Sequence, residues 1–129
     1  MTRPIIVQED PWLDPYSAII QSRYEAALYR KEQLAHVSGS LANFASGFLF
    51  YGLHQTESGW VFREWAPHAS RIYLIGEFNN WKEEETFSMS RLNDGNWEIF
   101  LDATDLHEGQ LFKLHVYWEG GDGYRIPSY

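Results

Sequence analysis

The sequence predicts a mainly β protein: an immunoglobulin-like antiparallel β-sandwich preceded by an N-terminal α-helical segment. Two patterns support this. Apolar residues recur at helical spacing in the first third of the chain, and short alternating segments with turn residues between them follow from about residue 47. We therefore expect an N-terminal arm and helical segment over residues 1–46 and a β-sandwich over residues 47–129.

The helical segment is predicted from proline, capping and glycine positions. Pro4 and Pro11 favour an extended arm as far as residue 11. Asp14 and Pro15 are typical of a helix N-cap and first position, and Gly39 is typical of a helix end. The apolar residues between them are Ile19, Ile20, Tyr24, Ala27, Leu28, Leu34 and Val37. Such a stripe is expected to pack on its own domain, and the alternative is a helix that binds a partner.

Six strands are predicted in the second segment, over residues 48–55, 59–65, 71–76, 87–92, 96–102 and 111–118. Asp94 and Gly95 indicate a tight hairpin, and residues 119–123 are interpreted as a turn. In the last strand, Phe112 and Trp118 are expected on the buried face. Lys113, His115 and Tyr117 are expected on the opposite face.

Composition excludes several kinds of partner. The net charge is −8, the pI is about 5.0, and no basic patch is present. This argues against nucleic acid and against anionic membranes, whereas a neutral polymer is compatible with it. The 6 Trp and 8 Tyr residues exceed what a core of this size needs and suit a carbohydrate or protein surface. No apolar run or signal peptide is apparent, so we expect a cytoplasmic protein.

The polar residues do not indicate catalysis, a cofactor or a metal site. The five histidines lack metal-ligand spacing, and there is no cysteine. Glu83, Glu84 and Glu85 crowd one loop. A glycosidase needs two carboxylates that face each other across a cleft, so these glutamates are interpreted as a solvated charge run.

The stretch 71–81 carries the strongest functional signal. Ile72 and Leu74 alternate with polar or mixed neighbours and predict a strand, which Gly76 ends. Asn79 and Asn80 then favour a turn, followed at once by Trp81. An indole flanked by amides suits a sugar, because the ring C–H face packs on the indole and the amides reach the hydroxyls. The alternative is that Trp81 folds back over the core.

Several motifs in this order resemble the family 48 carbohydrate-binding module, which precedes the catalytic barrel of α-glucan branching and debranching enzymes. The motifs lie at residues 62–67 (FREWAP), 72–81 (IYLIGEFNNW), 95–98 (GNWE) and 112–113 (FK). The segments at 10–16 (DPWLDPY), 44–47 (FASG), 51–54 (YGLH) and 125–129 (RIPSY) are similar to the N-terminal region of eukaryotic-type glycogen branching enzymes.

The resemblance implies particular site residues and partners. Trp81 matches the family's sugar-stacking tryptophan, and Lys113 matches its hydroxyl-contacting lysine. Asn79 and Asn80 are expected to assist, and Tyr124 stands near the position of a second family tryptophan. The implied partners are an α-glucan and the catalytic barrel of the same parent chain.

The predicted function is therefore non-catalytic α-1,4-glucan binding, as the N-terminal fragment of an enzyme that forms α-1,6 branches. The alternative is a structural module that docks on the catalytic barrel and binds no sugar. No branching or hydrolytic activity is expected of these 129 residues themselves.

Overall fold

The computed structural model describes residues 4–129. The chain divides into two compact units, Met1–Ser46 and Gly47–Tyr129. Among the described residues, no helix is long and apolar enough to cross a membrane.

The described part of the first unit is helical from Ile5. It contains α1 (Ile5–Glu9), a 3-10 helix (Pro11–Tyr16), α2 (Ser17–Ser38) and α3 (Leu41–Phe44). The predicted extended arm is therefore wrong for residues 5–9, and its first three residues lie outside the described part of the chain. Pro4 occupies the N-cap of α1, where its missing N–H removes no helical hydrogen bond, and Asp10 returns to an extended conformation before Pro11.

The N-cap was predicted at Asp14, but the Asp-Pro pair that caps a helix is the earlier one, Asp10 and Pro11. Asp10 accepts a hydrogen bond from the Trp12 N–H at 3.0 Å, and Pro11 opens the 3-10 helix. Asp14 and Pro15 lie inside that 3-10 helix, and α2 follows without a side-chain cap. Both pairs carry the same local signal, so sequence alone does not distinguish them.

The end of α2 agrees with the prediction, and the burial of its apolar stripe does not. Gly39 ends the helix in the left-handed conformation, with φ of 81°. No residue of α2 is buried, and Val37 is 96% exposed. Apolar side chains are also not confined to one face of α2: Tyr29, which is 63% exposed, lies opposite Ile20 at about 100° per residue.

The second unit confirms the antiparallel sandwich. The strands are β1 (Gly52–Gln55), β2 (Gly59–Trp65), β3 (Ala69–Gly76), β4 (Ser90–Arg91), β5 (Asn96–Asp102), β6 (Phe112–Trp118) and β7 (Gly121–Arg125). One sheet has the order β1-β2-β5-β4 and the other the order β3-β6-β7.

Strand β7 was not predicted, because residues 119–123 read as a turn. Glycine is depleted in strands, yet here Gly121 and Gly123 are needed for packing. A Cβ on Gly121 would lie 3.2 Å from the Trp118 indole nitrogen, and one on Gly123 would lie 3.0 Å from the same ring. The glycines therefore leave room for the Trp118 ring beside β7.

The core is formed by the facing sides of the two sheets. Phe62, Ile72, Leu74 and Leu114 are completely buried there. The hairpin between β4 and β5 is confirmed, with Asp94 and Gly95 both at positive φ. Because β6 alternates, burial of Leu114 and Val116 turns its intervening side chains to the other face of the β3-β6-β7 sheet.

The segment after β7 is held by one buried carboxylate. Glu64 lies 2.6 Å from the Arg125 guanidinium and accepts hydrogen bonds from the Ser128 N–H and hydroxyl, each at 2.9 Å. Arg125 also donates to the Trp65 carbonyl at 2.9 Å. These contacts fix the end of the strand that carries Tyr124.

Candidate functional site

The turn after β3 presents Trp81 at the surface. A 3-10 turn (Glu77–Asn79) follows Gly76, and Asn80 and Trp81 then adopt left-handed φ values of 53° and 60°. The Trp81 N–H donates to the Gly76 carbonyl at 2.8 Å, which closes the turn. The indole is 45% exposed, so Trp81 is not a core residue.

Asn79 and Asn80 play different parts in this turn. Asn79 is 2% exposed. Its side-chain oxygen accepts from the Gly76 N–H at 2.9 Å, and its amide nitrogen donates to the Leu74 carbonyl at 3.0 Å. Asn79 thus holds the turn from inside and does not offer its amide to a surface ligand, whereas Asn80 is exposed.

Trp81, Lys113 and Tyr124, which come from three separate segments, meet at one surface. The Lys113 ammonium lies 3.8 Å from the centroid of the Tyr124 ring and 5.7 Å from that of the Trp81 ring. Both distances are within cation–π range, so the two rings hold the ammonium between them. Tyr124 is 64% exposed. We call these three residues the aromatic platform.

A hydrogen-bonded polar group lies beside the aromatic platform. His115 Nδ1 lies 2.5 Å from a Glu83 carboxylate oxygen, and His115 Nε2 lies 2.6 Å from one of Asp122. The same Glu83 oxygen accepts from the Tyr117 hydroxyl at 2.6 Å. We call Glu83, His115, Tyr117 and Asp122 the polar bridge.

The polar bridge corrects the interpretation of the glutamate run. Glu83 binds two side chains of β6, and Glu85 accepts from the Tyr73 hydroxyl at 3.0 Å, so these two carboxylates are not simply solvated. Sequence reasoning did not single out His115 and Tyr117 as site residues. The alternation of β6, which places both on the same face as Lys113, was the signal that could have found them.

Tyr117 has a strongly shifted ionisation. Its hydrogen bond to Glu83 is the largest cause, followed by desolvation and the charge of Glu83, and together these raise the pKa of Tyr117 from 10.0 to about 12. The folded protein therefore keeps this proton above pH 10 while the unfolded chain loses it. This contribution to stability is complete below pH 10 and falls as the pH rises towards 12.

We expect Glu83→Gln to lower the pKa of Tyr117 back towards 10.0, because an amide is a weaker acceptor for the phenol hydrogen bond than a carboxylate and does not repel the phenolate. Alkaline titration followed by the ultraviolet absorbance of phenolate measures this, with Tyr117→Phe identifying the late-ionising group. An unchanged late phase in Glu83→Gln would contradict the assignment of its cause.

A second aromatic feature lies at the far end of β6. A cleft of about 450 Å³ opens between the end of β2 and β7. Trp65 and Trp118 lie along it and are about half exposed. The Trp65 indole N–H donates to the Asp94 carbonyl at 3.0 Å, which fixes that ring. The prediction that Trp118 is buried was wrong: the residue is 45% exposed, and its ring lies beside Gly121 and Gly123 of β7, which have no side chains to cover it.

The chemistry of the surface is that of binding. Two exposed rings offer flat apolar faces, and an ammonium between them donates hydrogen bonds. Within residues 4–129, no group of three or more His, Asp or Glu side chains is arranged to hold a metal ion.

Comparison with known proteins places the sequence among characterised families. The model of the family described as carbohydrate-binding module 48 (isoamylase N-terminal domain) matches residues 50–129. A 1,4-alpha-glucan-branching enzyme of Dictyostelium discoideum is 32% identical over 96% of this chain and 19% of its own length. The chloroplastic/amyloplastic 1,4-alpha-glucan-branching enzyme 2-2 of Arabidopsis thaliana is 36% identical over 96% of this chain and 16% of its own.

Among solved structures, the pullulanase from Bacillus acidopullulyticus aligns with a TM-score of 0.48 and 20% identity, over 61% of this chain and 10% of that chain. The chain spans less than a fifth of the length of these two curated relatives, 19% and 16%. The resemblance inferred from the motifs is confirmed by the family match over residues 50–129 and by relatives that match 96% of this chain. The chain belongs to the carbohydrate-binding module 48 family.

Proposed function

We propose that this chain is a non-catalytic module that binds α-1,4-glucan on the aromatic platform. The observation that carries this proposal is the meeting of Trp81, Lys113 and Tyr124 from three segments, with the lysine ammonium 3.8 Å from one ring and 5.7 Å from the other. Rings that serve only to cover a core would be buried, and these two are exposed. Their faces can pack against sugar C–H groups while Lys113 and Asn80 donate to hydroxyls.

The parent activity belongs to the same proposal. The curated relatives are named as branching enzymes, and we propose that this module holds α-glucan near the catalytic barrel of such an enzyme, which forms α-1,6 branches in the cytoplasm. The acidic charge of −8 is compatible with a neutral polymer.

The affinity of one site should be weak. An indole–sugar stack contributes about 0.5–1.5 kcal/mol beyond area burial. A charge-assisted hydrogen bond from Lys113 contributes up to about 1.5–3 kcal/mol, and less on an open surface. Against these terms stands the cost of immobilising a flexible glucan. We therefore expect a Kd of about 0.1–1 mM for maltoheptaose, since 1 mM corresponds to roughly −4 kcal/mol.

The test is an NMR titration of the 129-residue chain with maltoheptaose to several times the expected Kd, with cellohexaose as the β-linked control. We expect shifts centred on the Trp81 indole that extend to Lys113, Tyr124 and Asn80. Shifts centred elsewhere would overturn the assignment of the site, and no shifts at all would overturn the proposed function.

A further prediction concerns the ammonium of Lys113. Lys113→Met keeps most of the aliphatic stem against Tyr124 but removes the charged donor, so we expect maltoheptaose affinity to fall about threefold to tenfold, where tenfold is about 1.4 kcal/mol. Lys82→Met is the control, because Lys82 is also exposed and next to Trp81 but is not positioned over either ring. Equal affinities for the two variants would contradict a hydroxyl contact from Lys113.

The second candidate function is docking on the rest of a longer parent protein without sugar binding. The cleft with Trp65 and Trp118 favours it, because two half-exposed indoles beside an apolar cleft are typical of interface anchors. Trp65→Ala should then weaken association with a separately produced catalytic barrel of the parent, whereas Trp81→Ala should not. Sedimentation of the mixtures measures this, and equal sedimentation for wild type and Trp65→Ala would exclude docking through the cleft.

A further inference from the structure

We propose that His115 is a positioning residue for the aromatic platform: its protonated ring ties the loop that carries Trp81 to the strand that carries Tyr124. This inference rests on the proposed function. His115 is on β6, between the two elements. Its Nδ1 contacts Glu83, two residues after Trp81, and its Nε2 contacts Asp122, two residues before Tyr124.

The two contacts have a chemical requirement. A carboxylate only accepts hydrogen bonds, and a neutral imidazole carries a single N–H. Both contacts, at 2.5 and 2.6 Å, are hydrogen bonds only when the ring carries a proton on each nitrogen. Loss of one proton leaves a nitrogen lone pair facing a carboxylate oxygen, so the contact of His115 with either Glu83 or Asp122 is lost. The Tyr117 hydrogen bond to Glu83 and the pairing of β6 with β7 remain, so we expect the platform to loosen while the sheet stays intact.

The ring also contacts the platform itself. The His115 and Tyr124 ring centroids are 4.7 Å apart, and those of His115 and Tyr117 are 4.6 Å apart. His115 therefore packs against the Tyr124 ring while it contacts carboxylates of the elements on both sides. A rigid arrangement of this kind raises affinity by reducing the ordering that the sugar would otherwise impose.

Other titratable and charged groups also face this ring from the elements packed around it. They are Glu83 in the loop, Asp122 and Tyr124 on β7, Lys113 and Tyr117 on β6, and Tyr73 and Arg71 on β3. Histidine is the side-chain type whose charge ordinarily changes near neutral pH, whereas carboxylates, tyrosine, lysine and arginine ordinarily do so well below or above it.

The first experiment needs no sugar. NMR of the wild-type chain from about pH 5 to about pH 8 follows the Trp81 indole, the Tyr124 ring and the His115 ring. We expect the Trp81 and Tyr124 signals to shift with the same midpoint as His115, and this shift to be absent in His115→Gln. Trp81 signals that do not follow His115 would overturn the inference. His107→Gln, which removes an exposed histidine in the turn before β6, should behave as wild type.

The second experiment measures maltoheptaose affinity at both ends of a pH range that brackets the midpoint observed for the His115 ring in the first experiment. We expect the wild-type Kd to rise at least about fivefold as the ring loses its proton, a change worth about 1 kcal/mol. His115→Gln should bind with the weaker affinity at both pH values, and circular dichroism should show it folded. If wild type binds equally at both ends, His115 does not position the platform, although glucan binding itself stands. If no sugar binds at any pH, the proposed function fails and this inference fails with it.

Discussion

Trp81→Ala should abolish detectable binding of maltoheptaose while leaving the sandwich folded. The indole is 45% exposed and has no place in the hydrophobic core, so its removal creates no internal cavity. The Trp81 backbone makes the turn-closing hydrogen bond to Gly76, which alanine retains. What is lost is the larger of the two flat faces against which a sugar can pack.

The magnitude follows from the weakness of the site. If wild type binds at about 0.1–1 mM, loss of a stack worth about 0.5–1.5 kcal/mol together with its buried apolar area moves the Kd beyond about 10 mM. The measurement is the NMR titration with maltoheptaose, with urea unfolding of each variant to confirm the fold. The left-handed φ of 60° at residue 81 adds a strain of about 1 kcal/mol that any non-glycine residue shares, so alanine does not change it.

Trp12→Ala is the matched control for this variant. Trp12 is 88% exposed and belongs to the other compact unit. Its removal should leave maltoheptaose affinity unchanged if binding needs the platform and not merely an exposed indole. Equal binding by wild type and Trp81→Ala would remove Trp81 from the site.

Much of the sandwich could be predicted because its strands obey simple alternation. β2 and β5 begin and end at the predicted residues, since each has a regular buried face and clear turn residues at both ends. β7 was not predicted because its glycines lower the strand propensity of the segment. Their role is to leave room for the Trp118 ring, and this depends on tertiary packing, which local propensity does not reveal. The helix α1 was not predicted because the two prolines were expected to exclude a helix. Instead Pro4 lies just before this short helix and Pro11 lies just after it.

The site residues that could be predicted are those whose exposure follows from a turn or from the alternation of a strand. The Asn-Asn turn indicated an exposed Trp81, and alternation along β6 placed Lys113 on the outer face. The contacts among Lys113, Tyr124 and Trp81 depend on the pairing of β6 with β7, which no local pattern reveals. The buried role of Asn79 was equally hidden, because its neighbour Asn80 has the same side chain and an exposed position.

Asn79→Ala should therefore be more damaging to the fold than any change at Asn80. The Asn79 side chain satisfies the Gly76 N–H and the Leu74 carbonyl at a buried site. Loss of these partners should cost about 1–3 kcal/mol of unfolding free energy. Because the same turn holds Trp81 at the surface, maltoheptaose affinity should fall as well. Urea unfolding and the NMR titration measure the two effects.

Two further variants separate support of the turn from contact with sugar. Asn79→Asp keeps an acceptor for the Gly76 N–H but places a carboxylate oxygen against the Leu74 carbonyl, so it should also destabilise the turn. Asn80→Gly keeps the left-handed backbone without strain. It should preserve stability and reduce affinity about threefold at most, because it removes one exposed hydroxyl contact worth about 0.5 kcal/mol. Unchanged stability in Asn79→Ala would contradict a structural role for the Asn79 side chain, because it would show that its hydrogen bonds to Gly76 and Leu74 do not support the fold.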